Sequence, residues 1–249
     1  MTVTELRAEC YRTPSASAPA GRWSFIAQMA AVLGERALPY RLQLDVLTAK
    51  RRQVARGEEL FGQGDSLAAL YEVRAGWFKT CMSDSNGRCQ VTGFQMCGDL
   101  LGLDAIGGGR HHAGVVALDD ALVCVIPYVS LNELLFVHHG LQLEFQRTMS
   151  REILRDQWMM LRLGTMTAER RIAAFVLDLA SRQHDRGYSS SELVLRMTRD
   201  EIGSYLGLQL ETVSRSLSKL QVDGVLTIRH RILQVLDEAA LRSLVHGPA

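Results

Sequence analysis

The stretch "TRDEIGSYLGLQLETVSRSLSKLQ", residues 198–221, predicts two short helices separated by a glycine. Thr198 and Glu201 have the spacing of a capping box, which is typical of a helix start. Gly207 permits the sharp turn after that helix. In the second helix, spacings of three, four and three residues bring four aliphatic side chains onto one face: those of Leu210, Val213, Leu217 and Leu220. Two short helices joined in this way form a helix-turn-helix.

The opposite face of the second helix is polar. In a helix-turn-helix, the second helix lies in the DNA major groove and reads base edges with residues near its N-terminal end. Arg215 can donate two hydrogen bonds to guanine, Glu211 can accept one from cytosine, and Ser214 can contact a base or a thymine methyl. We therefore predict double-stranded DNA as the partner of these residues, with four further candidate DNA contacts: Thr198, Arg199, Thr212 and Lys219.

The alternative for this face is a solvated surface on which Glu211 pairs with Arg215 one helical turn later. The next stretch, "GVLTIRHRILQVLD" (residues 224–237), predicts two strands that would form a β-wing. A wing that follows a capped helix and a glycine turn favours DNA binding. Gln209 departs from the pattern, because glutamine is a weak N-cap.

Residues 50–130 contain short apolar or alternating runs punctuated by glycine, which predict a β-sandwich or barrel of the jelly-roll kind. The clearest hairpin turn is "SDSNG" (residues 83–87), because Asn and Gly both tolerate positive φ. We assign residues 35–140 to a β-roll sensor domain. Residues 1–34 are rich in Pro, Ser and Ala in their first part, so we expect a mobile N-terminal segment there.

A long helix is predicted over residues 141–164. Five of its residues fall on a four-three register that is typical of a coiled-coil seam: Met149, Ile153, Asp156, Met160 and Leu163. We predict that this seam is the interface of a homodimer. The alternative is a helix packed on its own roll, with Asp156 at the solvent edge of the stripe.

The long helix should end at Gly164, and Thr165 or Thr167 should cap the helix that follows. Residues 164–167 are therefore expected to form a hinge. Beyond it, we assign residues 165–249 to a winged helix-turn-helix domain.

Composition sets outer limits on the protein. A chain of 249 residues with 47% hydrophobic and 22% charged residues favours two globular domains. The net charge of +1 argues neither for nor against a nucleic-acid partner. No signal sequence and no uncharged run near the roughly 20 residues of a membrane helix is visible, so we expect a cytoplasmic protein with no membrane partner. Its five cysteines should then be reduced.

Three segments resemble the CRP/FNR superfamily of bacterial transcription regulators, and specifically its FNR-like branch: "MTRDEIGSYLGLQLETVSRSLSKLQVDGVL", "GFQMCGDLLGLDAIGGGRHH" and "LVCVIP". The resemblance implies an α+β fold with an N-terminal cyclic-nucleotide-binding-like β-roll, a long dimerisation helix and a C-terminal winged helix-turn-helix. It also implies a homodimeric regulator, an activator or a repressor, that is not an enzyme and has RNA polymerase as a partner. Regulators with this pattern read TTGA-type half-sites, so Glu211, Ser214 and Arg215 inherit the base-reading roles.

The resemblance also locates effector positions in the roll. In relatives that bind cyclic AMP, a glutamate holds the ribose and an Arg-Ser pair holds the phosphate. Here Leu103 stands at the glutamate position, and His111 and His112 stand at the Arg-Ser positions. Imidazoles replace a bidentate guanidinium poorly, so cyclic AMP is disfavoured. Neighbouring histidines also make a poor metal pair, and we expect both to be surface or loop residues.

The number and positions of the cysteines disfavour an iron–sulfur cluster. FNR itself holds a 4Fe–4S cluster on three N-terminal cysteines and one roll cysteine, which Cys124 matches, but this chain offers only Cys10 before residue 81. We therefore disfavour the cluster and expect Cys124 to be a buried strand residue. Cys81 and Cys89 flank the "SDSNG" turn and are either a thiol switch or two unrelated reduced cysteines.

No cofactor is predicted, and two alternatives stay open at this point. The first is a regulator of the same family that senses nitric oxide or redox state through haem with a histidine ligand. The second is a cupin-like enzyme, which would need clustered metal ligands on adjacent strands that the sequence does not show. In an absorption spectrum of the freshly purified anaerobic protein, a Soret band would indicate haem, and a broad shoulder near the visible range would indicate an iron–sulfur cluster.

Overall fold

The computed structural model describes residues 24–34 and 38–246, and the chain divides into two compact units, which meet between Glu152 and Ile153. In the described part, no helix combines the length and apolar character needed to cross a membrane.

The first unit is built on a β-roll. Its strands are β1 (Arg51–Val54), β2 (Glu59–Phe61), β3 (Ala69–Ala75), β4 (Phe78–Ser83), β5 (Cys89–Gln95), β6 (Leu100–Leu101), β7 (Gly114–Ala117) and β8 (Ala121–Pro127). They form two antiparallel four-stranded sheets with the orders β1-β8-β3-β6 and β2-β7-β4-β5. Apolar residues of both sheets share one core, which includes Val54, Leu60, Val73, Phe78, Val115 and Val123. The prediction of a β-roll is confirmed.

The "SDSNG" hairpin lies between β4 and β5, as predicted. Gly87 has a φ of 76°, whereas Asn86 does not adopt a positive φ. The turn is held instead by Asp84, whose Oδ1 accepts hydrogen bonds from the backbone N–H groups of Asn86 (2.8 Å) and Arg88 (3.0 Å). This carboxylate supplies the local acceptor that makes Asp frequent in turns.

The two cysteines that flank the hairpin are not opposite each other. Cys81 pairs with Val91, and Cys89 pairs with Ser83. Diagonal neighbours of this kind are roughly 7–8 Å apart in Cα position, which exceeds the usual span of a disulfide. The register therefore gives no support to the thiol switch.

Helices cover one side of the roll: α1 (Phe25–Leu33), α2 (Leu38–Leu47), α3 (Tyr128–Val137) and the first part of α4 (His139–Thr165). A second core joins them to β3 and β8, and it includes Phe25, Met29, Leu33, Leu70, Ile126, Leu131 and Phe145. Helix α1 corrects the mobile segment that we expected over residues 1–34. Residues 1–23 of that segment lie outside the described residues.

Glu72 on β3 fixes the start of α1. Its fully buried carboxylate accepts hydrogen bonds from the hydroxyl of Ser24 (2.7 Å) and the backbone N–H of Ile26 (2.7 Å), and Arg74 donates a third at 2.9 Å. Burial raises the pKa of Glu72, and these hydrogen bonds and the Arg74 charge oppose the rise. The sequence pattern of residues 24–34 could not show this contact, because Glu72 is distant along the chain.

Cys124 on β8 is buried, as the sequence indicated. Its thiol donates to the backbone carbonyl of Thr48 at 2.9 Å, and Glu72 lies opposite it on β3. Burial, and next the nearby Glu72 charge, raise the pKa of the Cys124 thiol to about 11.

Helix α4 begins at His139 and ends at Thr165, and it crosses from one unit into the other. Gly164 lies inside the helix and does not end it, which corrects the expected stop at this residue. Thr167 is the N-cap of the next helix, but its hydroxyl makes no capping bond. Thr165 does not cap that helix either, because its hydroxyl donates back to the carbonyl of Leu161 at 2.7 Å.

The second unit contains the rest of α4, α5 (Ala168–Asp185), β9 (Glu192–Val194), α6 (Arg199–Leu206), α7 (Leu210–Val222), β10 (Leu226–Arg229), β11 (Ile232–Val235) and α8 (Glu238–His246). The strands form one antiparallel sheet in the order β10-β11-β9. Apolar side chains from α5, α6 and α7 are buried in this unit: Ile172, Phe175, Leu179, Ile202, Leu206, Leu217 and Leu220. The helix-turn-helix and its wing are present as predicted.

Candidate DNA-binding surface

The first helix of the helix-turn-helix, α6, starts with a complete capping box. The Thr198 hydroxyl accepts from the backbone N–H of Glu201 at 3.1 Å, and the Glu201 carboxylate accepts from the backbone N–H of Thr198 at 2.6 Å. The Thr198 hydroxyl keeps its own proton for a further acceptor. Thr198 and Arg199 are both exposed at this helix start.

The turn between α6 and α7 depends on two glycines. Gly207 adopts a left-handed conformation (φ 63°, ψ 41°) at the end of α6. Gly203 allows the backbone after the turn to approach the helix, and the Leu208 N–H donates to its carbonyl at 2.8 Å. A Cβ at Gly203 would lie 2.6 Å from the carbonyl oxygen of Leu208. This close approach sets how α7 leaves α6.

Helix α7 buries three of the four predicted aliphatic side chains, namely Val213, Leu217 and Leu220. The prediction is wrong for Leu210, which is 42% exposed. Leu210 is the first residue of α7, so no preceding turn of its own helix covers it. Gln209 occupies the N-cap position and makes no side-chain capping bond, which fits its low N-cap preference.

The polar face of α7 carries the predicted base-reading residues. Glu211 and Arg215 are exposed, and Ser214 and Thr212 are half-buried. Arg215 Nη2 lies 3.4 Å from the Thr212 hydroxyl, a long contact. No ion pair joins Glu211 to Arg215 in the described part of the chain. The Glu211 carboxylate and most of the Arg215 guanidinium therefore face solvent.

Lys219 lies two turns from the start of α7, and its ammonium group is already paired. Its Nζ donates to the Glu169 carboxylate on α5 at 2.7 Å. Hydrogen bonding to Glu169 raises the pKa of Lys219. Lys219 is exposed like Glu211 and Arg215, but its charge is already paired within the second unit.

The wing presents two cations that were not among the predicted DNA contacts. Strands β10 and β11 join through a tight turn in which His230 has a φ of 57°. Arg229 and Arg231 flank His230, and all three are exposed. The signal was the "RHR" triplet at the tip of the predicted wing.

Arg171 on α5 was also missed, because an arginine on an amphipathic helix is usually only a solvated charge. Its guanidinium donates to the backbone carbonyls of Leu163 (2.6 Å), Met166 (3.0 Å) and Leu206 (3.0 Å). The Leu163 and Leu206 carbonyls belong to the last turns of α4 and α6, where helices lack internal donors, and Met166 follows α4 directly. Arg171 therefore fastens the helix-turn-helix to the end of α4 within the second unit.

The effector positions of the roll are arranged differently from the expectation. Leu103 is half-buried and His112 is exposed. His111 lies in the loop before β7, which agrees with its prediction as a surface or loop residue, but its side chain is buried. The His111 ring stacks on Phe61 with centroids 3.8 Å apart and planes 20° apart. Because the two histidines point apart, only one of them enters the roll.

Each unit of the chain matches a known protein family. The model of the Crp-like helix-turn-helix domain family matches residues 170–244, and that of the cyclic nucleotide-binding domain family matches residues 51–138. The chain is 43% identical over 203 residues to the transcriptional regulatory protein btr of Bordetella pertussis, which covers 82% of this chain and 84% of the relative. It is 40% identical over 202 residues to the fumarate and nitrate reduction regulatory protein of Escherichia coli, with 81% of each chain covered.

A solved structure agrees with these relatives. FixK2 from Bradyrhizobium japonicum superposes with a TM-score of 0.74 at 29% identity, covering 80% of this chain and 98% of FixK2. The matched relatives are regulatory proteins rather than enzymes, and they span most of this chain. The chain therefore belongs to the CRP/FNR family of DNA-binding transcription regulators.

Proposed function

We propose that this regulator acts as a homodimer on palindromic DNA with TTGA-type half-sites, which Glu211, Ser214 and Arg215 read. The observation that carries the proposal is the exposure of Glu211 and Arg215, unpaired with each other, opposite the buried face of α7. A free guanidinium can bind guanine O6 and N7, and a free carboxylate can accept from cytosine N4. Thr198, Arg199 and Thr212 lie at the N-terminal ends of α6 and α7 and are proposed as supporting contacts.

The proposed dimer rests on the apolar face of α4. Ile153 is 57% exposed and Met160 is 63% exposed in the single chain, and Leu163 and Met149 are half-buried. Further large apolar side chains of the same helix are exposed: Leu154, Trp158 and Leu161. At about 3.6 residues per turn, these three side chains form a second stripe beside the one that carries Ile153 and Met160. Exposed apolar side chains in this number indicate a protein partner, and the heptad-like spacing of the first stripe fits a second copy of the same helix.

The Arg215→Ala variant tests the proposed readout. We expect it to weaken binding to a TTGA palindrome by about 1–3 kcal/mol and to reduce discrimination at the guanine position. Arg242→Ala is the matched control, since Arg242 is an exposed arginine on α8 that pairs with Glu238. Affinities for duplexes with each base replaced in turn give the measurement. Unchanged preference at guanine in Arg215→Ala would reject the assignment of this residue.

We propose no resident cofactor, and we continue to disfavour cyclic AMP and a 4Fe–4S cluster as the signal. The cysteine count supports this view of the cluster, because a 4Fe–4S cluster of that kind needs four thiolates and the chain offers only Cys10 before residue 81. Haem stays an alternative, and an absorption spectrum of the anaerobic protein decides it. From the family resemblance, we also propose that the protein is cytoplasmic, acts as an activator and contacts RNA polymerase.

A further inference from the structure

Asp104 lies on the short 3₁₀ turn Leu103–Ala105, which follows β6. Its Oδ2 accepts hydrogen bonds from two successive backbone N–H groups, those of His112 (2.7 Å) and Ala113 (3.1 Å). Its Oδ1 lies 3.4 Å from Nδ1 of His111. One carboxylate therefore occupies a pocket formed by two amides and an imidazole.

Successive backbone N–H groups that point at one place form an anion-binding concavity. The residue before these two amides, His111, is hydrogen-bonded through both its backbone N–H and its backbone carbonyl. The His111 N–H donates to the backbone carbonyl of Asp65 (2.9 Å), and the His111 carbonyl accepts from the backbone N–H of Gly64 (2.8 Å). The His111 ring is buried against Phe61, and a Cβ on Gly102 would lie 3.2 Å from its Cε1. These contacts hold His111, the residue before the two amides, without the participation of Asp104.

The residues of this pocket do not fit a cyclic nucleotide, although the cyclic nucleotide-binding domain family matches residues 51–138. Leu103 offers no polar group to a ribose, and His111 and His112 offer no bidentate guanidinium to a phosphate. The two amides that could receive a phosphate already serve Asp104. An incoming anion would have to displace this carboxylate and would meet its negative charge.

We propose that Asp104 is a built-in anion that fills the anion-binding site of the roll and keeps phosphate-bearing ligands out of it. Asp104 is exposed, so solvent reaches the site from its side. Removal of the carboxylate should leave two unpaired amides open to a small external anion. This inference concerns the roll alone and does not depend on DNA binding.

The test compares the wild-type chain with Asp104→Ala, using inorganic phosphate, acetate and cyclic AMP as probes. In Asp104→Ala, phosphate and acetate should raise the melting temperature and shift the amide NMR signals of His112 and Ala113 saturably. In the wild type, none of the three probes should shift these two signals. Acetate supplies the missing carboxylate, so its effect reports on the vacated amides themselves.

Asp84→Ala is the matched control, because Asp84 also accepts two backbone amides but lies in the exposed hairpin. Anion stabilisation in Asp104→Ala that does not exceed the stabilisation in Asp84→Ala would overturn the proposal. The wild type alone is a second test if Asp104→Ala does not fold. Saturable shifts of His112 and Ala113 with phosphate or cyclic AMP in the wild type would equally overturn it.

Discussion

Lys219 has two competing partners, a carboxylate within its own domain and the DNA that it was predicted to contact. It was predicted to contact DNA, but its ammonium group is bound to Glu169 on α5. A DNA phosphate must compete with that carboxylate for the same three N–H donors. Breaking the Lys219–Glu169 pair costs energy. Lys219 is therefore not a freely available cation for the DNA backbone.

Replacing Glu169 by Gln should free Lys219 for the DNA backbone. We expect Glu169→Gln to bind its site more tightly at low salt, and the slope of log affinity against log salt to steepen by roughly 0.9, the value for one added phosphate contact. Fluorescence anisotropy of a labelled duplex over a salt series gives both quantities. Glu238→Gln is the control, because it breaks a similar exposed pair with Arg242 on α8. An unchanged slope would show that Lys219 does not reach a phosphate.

At the scale of the elements, the close passage of α6 and the following turn at Gly203 is the tightest constraint on the helix-turn-helix. A methyl group there would lie 2.6 Å from the Leu208 carbonyl oxygen, so the backbone must move to accept it. Overpacking of this kind costs about 1–3 kcal/mol. We expect Gly203→Ala to lower the urea midpoint of the second unit and to weaken DNA binding, because α7 is displaced.

Gly164→Ala is the matched control for this prediction. Gly164 is also helical, but a Cβ there meets nothing within 4 Å. Alanine should therefore stabilise α4 by about 0.5–1 kcal/mol through lower chain entropy in the unfolded state. If Gly203→Ala were as stable as Gly164→Ala, the turn would be more adaptable than its geometry indicates.

Local patterns were sufficient to predict most elements, because caps, glycine turns and apolar periodicity act within a few residues. The capping box at Thr198 and the wing are examples. Contacts between distant segments were not visible in the sequence. Glu72 binds the start of α1, and the buried His111 ring stacks on Phe61. Neither contact produces a periodic pattern in the sequence. Neighbouring residues can also differ in depth, as His111 and His112 do, which composition does not reveal.

For the whole molecule, we propose that Asp156 regulates the proposed dimerisation. It lies on α4 between Ile153 and Met160, within the exposed apolar face. Desolvation raises its pKa, and the neighbouring Arg155 charge opposes the rise. A two-fold parallel seam would bring two Asp156 carboxylates together, where like charges repel. The proposed dimer should therefore be weak unless this charge is removed or moved to solvent.

Asp156→Ala should tighten the dimer several-fold and allow DNA binding with less need for a signal. The wild-type dimer should also tighten as pH falls toward the raised pKa of Asp156, because protonation removes the repulsion, whereas Asp156→Ala should lack this component of the pH dependence. Sedimentation equilibrium at several pH values measures both effects. Gln157→Ala controls for the gain in helix propensity, since Gln157 is the exposed, uncharged neighbour on α4. A dimer of Asp156→Ala no tighter than wild type would reject this mechanism.

The burial of Cys124 gives the protein an intrinsic reporter of its own opening. Thiol reagents attack the solvent-accessible thiolate, and a thiol with a pKa of about 11 is almost entirely protonated at neutral pH. Cys124 should therefore react only when β8 transiently separates from its neighbours, whereas the exposed Cys89 reacts from the folded state. The slow labelling rate of Cys124, divided by the rate of a free thiol, then yields the opening equilibrium of the roll in native buffer.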